Sequence, residues 1–476
     1  MRYQMWINGE WRDAINGGTW DVINPATEEK VAAVPFGDVD DARAAIDAAY
    51  AAQPKWAAMT AYERGAILRR VADLIVSKLD ELAPITTREC GKVLAETRAE
   101  WNTTAAIFDW FAEEGKRAYG RTIPGRTPGK RLQVVYHPVG VVATITAWNF
   151  PAFLLARYWA AALAAGCTVV GRPSELTPMS AMALANVLEE AGMPPGVVNV
   201  INGDAAGMGQ EFLDNLRVDK VSFTGSQRVG RLLMQGAAGN LRRLSLELGG
   251  SAPVLIFDDV DVEAAAQKAV AAKFRNNGQV CVSPTRFYVQ QSIYEDFMEA
   301  SRTFVEKLVL GDGMQPGVTT GPLVTLAGRE KVELFVQDAV AQGAAVVTGG
   351  ERPSQFAHGY FYRPTILTQV TDSMKIICDE VFGPVMPISA FKTLEEGVEM
   401  ANSTPYGLAG YLMAKDMTTA IRAYEGMKFG VIGVNDLLPT VPEAPFGGMK
   451  QSGFGRELGS EGMHEYLEPK FVSIAL

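Results

Sequence analysis

Lys220-Val221-Ser222-Phe223-Thr224-Gly225-Ser226 reads as a short buried strand that ends in a glycine turn, and a helix is predicted over 228–238 directly after it. A strand feeding a helix through a tight turn is the building unit of a parallel sheet. Two uses suit the turn. Ser226 would serve as a helix cap, bonding to exposed backbone N–H groups. Alternatively, the positive helix end would hold a pyrophosphate, with Gly225 allowing the close approach.

The same alternation continues outward from this stretch. Short β-branched runs at 139–146, 167–171, 197–201 and 252–257 read as strands, and 179–191 as a helix between them. A second block follows, with helices at 264–274, 293–308 and 329–342 and strands at 286–289, 387–391 and 431–435. Right-handed crossovers then predict two α/β units with a ligand crevice at the carboxyl ends of the strands. The chain to about Gly120 reads as mainly helical, over 40–52 and 63–82 in particular. A last strand at 471–474 has no partner nearby, so a distant segment or another subunit is expected to pair with it. The dinucleotide fingerprint G-x-G-x-x-G after a strand is absent, since Gly453-Phe454-Gly455 follows a loop.

Composition excludes several classes. At 476 residues the chain exceeds one hydrophobic core and should form two or three domains. A net charge of −10 without a dense basic block argues against nucleic acid. The longest apolar runs carry Arg157, or Lys268 and Lys273, so no membrane span is expected. Met1 to Trp6 lacks the apolar stretch of a secretion signal. The cysteines Cys90, Cys167, Cys281 and Cys378 are widely spaced, which predicts a reducing, cytoplasmic setting and neither disulfides nor a metal site. His137, His358 and His464 each stand alone, so the chemistry should use Cys, Glu, Arg and amides.

A lone Cys281 after a helix is ordinarily a packing residue. The order of motifs along the chain says more. Ala147-Trp148-Asn149-Phe150-Pro151, Arg172-Pro173-Ser174-Glu175, Phe223-Thr224-Gly225-Ser226, Leu246-Glu247-Leu248-Gly249-Gly250, Gly278-Gln279-Val280-Cys281, Glu380-Val381-Phe382-Gly383-Pro384 and Pro445-Phe446-Gly447-Gly448 follow one another. This series resembles the aldehyde dehydrogenase superfamily over essentially the whole chain. The resemblance implies an α/β fold with a Rossmann-like cofactor domain (1–118 and 139–248), an α/β catalytic domain (249–435), and a small β oligomerisation segment (119–138 and 460–476). It also implies that 436–459 returns to the cofactor domain and that the protein is a homodimer or homotetramer.

The roles implied by the resemblance make chemical sense. Cys281 would attack the aldehyde carbon, and the Asn149 amide with the Cys281 N–H would hold the oxyanion. An oxidised nicotinamide would take two electrons, leaving a thioester, and Glu247 would activate water to hydrolyse it. Thr146, Trp148, Arg172, Ser174, Glu175, Phe223, Gly225, Ser226, Leu248, Glu380 and Phe382 match the cofactor site. Relatives that pass the acyl group to coenzyme A usually lack the glutamate at Glu247, so a free acid is the expected product. The family usually has lysine where Arg172 stands. Glu175 would accept the ribose hydroxyls and favour NAD, while the Arg172 fork would admit the extra phosphate of NADP. Ala147 replaces a common proline.

Arg157 sits in an apolar helix and Arg275 lies six residues before Cys281, so each needs a carboxylate partner or water. Either forms a structural ion pair, or both point into the substrate tunnel and grip a carboxylate on the aldehyde. Matching arginines do the latter in succinic semialdehyde dehydrogenases. Phe150, Val282 and Phe446 complete the implied substrate site. The stretch 273–287 and Pro442-Glu443-Ala444-Pro445-Phe446 resemble α-ketoglutaric semialdehyde dehydrogenases, and Ser283 stands where the succinic branch more often has a second cysteine. A sugar-derived or lactaldehyde-like substrate is the alternative, on the resemblance of 462–467. A non-catalytic binding protein on the same fold would be expected to have lost Cys281 or Glu247.

Overall fold

A computed structural model describes all 476 residues. Its first sheet has eight strands, in the order Gly453–Phe454, Arg243–Leu248, Lys220–Gly225, Val141–Ile145, Thr168–Arg172, Val198–Val200, Met5–Ile7 and Glu10–Arg12. The middle five are parallel. From Val141–Ile145 the chain adds strands in one direction, then returns to add Lys220–Gly225 and Arg243–Leu248 on the other side. The reversal opens a crevice beyond the carboxyl ends of Val141–Ile145 and Lys220–Gly225.

The second sheet runs Ala345–Thr348, Thr365–Thr368, Val385–Phe391, Pro284–Gln290, Ala252–Ile256, Ala409–Met413 and Val431–Val434, all parallel except the first. Ala252–Ile256, which reads as a continuation of the first block, belongs here; the chain crosses between sheets at Gly249-Gly250.

The N-terminal segment differs from the helical expectation in its first 35 residues. Met5–Ile7 and Glu10–Arg12 edge the first sheet, and Thr19–Ile23 pairs with Lys30–Pro35. Three-residue strands are too short to show a period. The stretch 63–82 is not one helix but two, Ala61–Ser77 and Leu79–Cys90, separated at Lys78 (φ −109°, ψ 15°). Arg243–Leu248, which shows no strand pattern because Arg243 and Glu247 interrupt it, is a strand in a largely buried position.

The final strand, Leu467–Ala475, pairs antiparallel with the distant Lys130–Pro138, and Arg121–Ile123 completes a three-stranded sheet. The helix Pro151–Ala165 is buried at every position except Phe153. A helix apolar all round belongs in the core, and this one carries Arg157 in with it. No helix is long and apolar enough to cross a membrane.

Candidate active site

Cys281 is placed by an unusual turn. After the helix Val262–Phe274, Asn276 (φ 47°), Asn277 (φ 53°) and Gly278 (φ 74°) are successively left-handed. Side chains tolerate that region poorly, and it persists only where neighbours over-determine it. At Gly278 a Cβ would collide with the Gly383 carbonyl, so two of the sequence motifs meet at this point. Cys281 emerges partly exposed, whereas Cys90 and Cys167 are buried in packing. Its recessed position still strips water from the sulfur and pushes the thiol up to about 12, with the Arg157 charge opposing.

The Asn149 carboxamide is 3% exposed and donates one N–H to the Gln279 carbonyl at 3.1 Å. An amide nitrogen carries two N–H groups, so a second donor is left for a substrate oxygen. Glu247 is 4% exposed, and its carboxylate has no side-chain hydrogen-bond partner, the Gly448 backbone N–H being the donor directed at it. Burial, and then the neighbouring Glu457 carboxylate, hold its pKa well above the ordinary carboxylate range, against Arg157 and Arg456.

A cavity of about 160 Å³ opens beside Cys281, and Phe150, Arg157, Arg275, Val282 and Phe446 all line it. The two arginines are not equivalent. Arg157 Nε lies 2.7 Å from Glu457 Oε2, with side chains 1% and 3% exposed. Its guanidinium also packs over Phe153 and Phe446. The structural ion pair is therefore present for Arg157, which lines the cavity as well, whereas Arg275 lines it without such a partner. Arg275 has no carboxylate within ion-pair distance; its guanidinium carbon lies 5.1 Å from the Phe150 ring centroid.

Ser283 is buried and donates to the Lys273 and Pro284 carbonyls, so it does not line the cavity. Sequence reasoning missed Glu457, and it missed the charged lining residues Lys92, Glu96 and Glu100. Lys92 and Glu100 form a fully buried ion pair. A buried arginine demands a carboxylate, but nothing in a linear sequence says which of 54 acidic residues supplies it.

The residues read as a cofactor site gather at the crevice of the first sheet. Thr146, Arg172, Gly225 and Leu248 stand at the carboxyl ends of its parallel strands. The Thr146 hydroxyl is buried without a partner, an orphan that a ligand would satisfy. Arg172 donates to Glu175 Oε2 and to the Gly203 carbonyl, each at 2.7 Å, so the two residues offered for ribose and phosphate are bound to each other. Ser174 Oγ accepts from the Leu176 N–H, and Ser226 caps the helix Gln227–Ala237 by accepting from Val229.

A Cβ at Gly225 would collide with the Phe223 ring, which is consistent with a turn kept bare for close approach. Leu248 packs into the core beside Phe223 and would crowd a Cβ at Gly230. From the other sheet, Glu380 accepts the Gly250 N–H at 3.1 Å, and Phe382, left-handed at φ 53°, meets Trp148 edge-on at 5.4 Å. These residues would suit a dinucleotide, whose phosphates the bare turn at Gly225 and the orphaned Thr146 hydroxyl leave room and a donor for.

A model described as the aldehyde dehydrogenase family matches residues 11–472. The chain belongs to the aldehyde dehydrogenase family. It is 46% identical to a succinate-semialdehyde dehydrogenase of Escherichia coli whose name specifies NADP(+), over 100% of this chain and 98% of the relative. A glutarate-semialdehyde dehydrogenase of Pseudomonas putida is also 46% identical, with the same coverage. Among solved structures, one described as an E. coli NADP dependent enzyme superposes with a TM-score of 0.98 at 46% identity, covering 100% and 98% of the two chains. Betaine aldehyde dehydrogenase from Staphylococcus aureus in complex with NAD+ gives 0.97 at 38% identity, covering 100% and 95%. As an aldehyde dehydrogenase, the protein is an NAD(P)-dependent oxidoreductase acting on an aldehyde, with an α/β fold built on two parallel sheets.

Proposed function

We propose that this aldehyde dehydrogenase oxidises a carboxylated semialdehyde to the free acid. The observation that carries the reading is Arg275. Of the three cations lining the cavity, Lys92 and Arg157 have carboxylate partners in the protein, and Arg275 has none. A guanidinium fork next to an apolar wall is suited to a carboxylate at the far end of a short aldehyde. The names of the E. coli and P. putida relatives agree with this chemistry. The preference for α-ketoglutaric over succinic semialdehyde rests on the stretches 273–287 and 442–446, of which Arg275, Val280, Cys281, Val282 and Phe446 line the cavity and Ser283 does not. A 3-sulfolactaldehyde dehydrogenase of Pseudomonas putida at 43% identity agrees with the hydroxy-aldehyde reading.

In this reading Cys281 adds to the aldehyde carbon, while the free N–H of Asn149 and the Cys281 backbone N–H stabilise the oxyanion. Bound oxidised nicotinamide supplies the two-electron acceptor for conversion to the thioester. Glu247, with no side chain bonded to its carboxylate, takes a proton from water as it attacks the thioester, which frees the acid and the thiol. Thr146, Trp148, Glu380 and Phe382, with Arg172, Ser174 and Glu175 at the ribose end, would hold the dinucleotide. The carboxylate of Glu175 favours NAD, and its neutralisation by Arg172 lets NADP compete.

The three-stranded sheet exposes Phe471 and Ile474, with Leu476 just beyond it and Tyr119 just before its first strand, which supports assembly into a homo-oligomer through 119–138 and 460–476. The division into a cofactor domain (1–118, 139–248, with 436–459 returning) and a catalytic domain (249–435) follows the two large sheets. The test is kcat/KM for succinic, glutaric and α-ketoglutaric semialdehydes, lactaldehyde and propanal with each nicotinamide. Preference for propanal over every carboxylated substrate would refute the proposal.

A further inference from the structure

The helix Leu94–Glu114 reaches the catalytic turn through one carboxylate. Glu96, in its first turn, accepts the Asn276 backbone N–H on both oxygens, at 3.0 and 3.1 Å. Asn276 is 3% exposed. Its side-chain nitrogen donates to the carbonyls of Asn149 and Gln279, each at 3.1 Å. Gln279 returns two bonds to the Asn276 carbonyl, from its backbone at 3.0 Å and its side chain at 3.1 Å.

One residue thus ties the loop that carries the oxyanion donor to the loop that carries the nucleophile, and Glu96 pins it from outside. A left-handed asparagine followed by a second one is held by its surroundings rather than by preference. A carboxylate accepting an amide N–H is among the stronger holds available. Glu96 also lines the cavity in which Arg275, the residue joined to that amide, presents its guanidinium.

We propose that Glu96 and Asn276 are positioning residues, a clamp that sets the spacing of Cys281 and Asn149 and presents Arg275 to the substrate. The proposal rests on Cys281 being the nucleophile and Asn149 the oxyanion donor. The experiment is the stopped-flow NADH burst with propanal and with succinic semialdehyde, in wild type, Glu96→Ala, Glu96→Gln, Asn276→Gly and Cys281→Ser, with thermal melts of each.

Asn276→Gly suits the left-handed backbone and deletes only the carboxamide bridge. Displacement of reacting groups by about 1 Å costs about 100-fold, so Glu96→Ala and Asn276→Gly should slow the burst by about that factor with both aldehydes. Glu96→Gln keeps an acceptor and should recover the burst to within about fivefold of wild type. A wild-type burst in both Glu96→Ala and Asn276→Gly overturns the clamp, as does a Glu96→Gln burst as slow as that of Glu96→Ala. If Glu96→Ala does not fold, Asn276→Gly decides. A burst in Cys281→Ser would instead overturn the nucleophile assignment beneath the proposal.

Discussion

Replacing Arg275 with alanine should sort aldehydes by the charge at their far end. The guanidinium lines the cavity and has no ion-pair partner, so a substrate carboxylate would be its principal one. A hydrogen bond to a charged group contributes about 1.5–3 kcal/mol, and a fork offers two. Arg275 is only half-buried, so solvent screening reduces the sum to about 3 kcal/mol. At about 1.4 kcal/mol per tenfold, kcat/KM for a carboxylated semialdehyde should fall about 150-fold. Propanal makes no such contact and should change by no more than about threefold, the scatter of a substitution outside the chemistry. Steady-state kinetics on the two substrates under one set of conditions measures the ratio. Equal losses on both would assign Arg275 to holding the turn rather than the substrate, and no loss on either would remove it from the site.

Cys281→Ser and Cys281→Ala should abolish aldehyde oxidation, and near-normal NADH formation in either variant would contradict the mechanism. Glu247→Gln should retain a pre-steady-state burst of NADH and lose steady-state turnover; loss of the burst itself would give Glu247 an earlier task. Both groups act deprotonated, and burial holds both above their ordinary values, so kcat should rise with pH through neutrality into the alkaline range. A profile that falls between pH 6 and 9 would contradict that assignment. Arg157→Ala strands the Glu457 carboxylate in the core and should cost about 3–5 kcal/mol in chemical denaturation. An unchanged midpoint would show that the pair is not what satisfies this arginine.

Much of the molecule was legible in the linear order of residues. Strand, glycine turn and helix are local signals, so 220–226 already indicated a parallel sheet and a crevice at its carboxyl edge. The types at Cys281, Glu247 and Asn149 are those that the proposed thioester chemistry would require, and their motifs follow one another in a recognisable order. What tertiary structure decided were pairings between distant residues. Arg157 and Glu457 lie far apart in sequence, and only the packing of an apolar helix against the C-terminal segment makes them partners. The clamp of Glu96 on Asn276 joins an N-terminal helix to the catalytic turn, and no periodicity announces it. Ser283, read from the sequence only as a residue that separates two branches of the family, is turned into the core. Ala252–Ile256 and the last strand found their sheets the same way, because a strand's neighbour is chosen by burial and backbone pairing across the whole chain, while its conformation is chosen within a few residues.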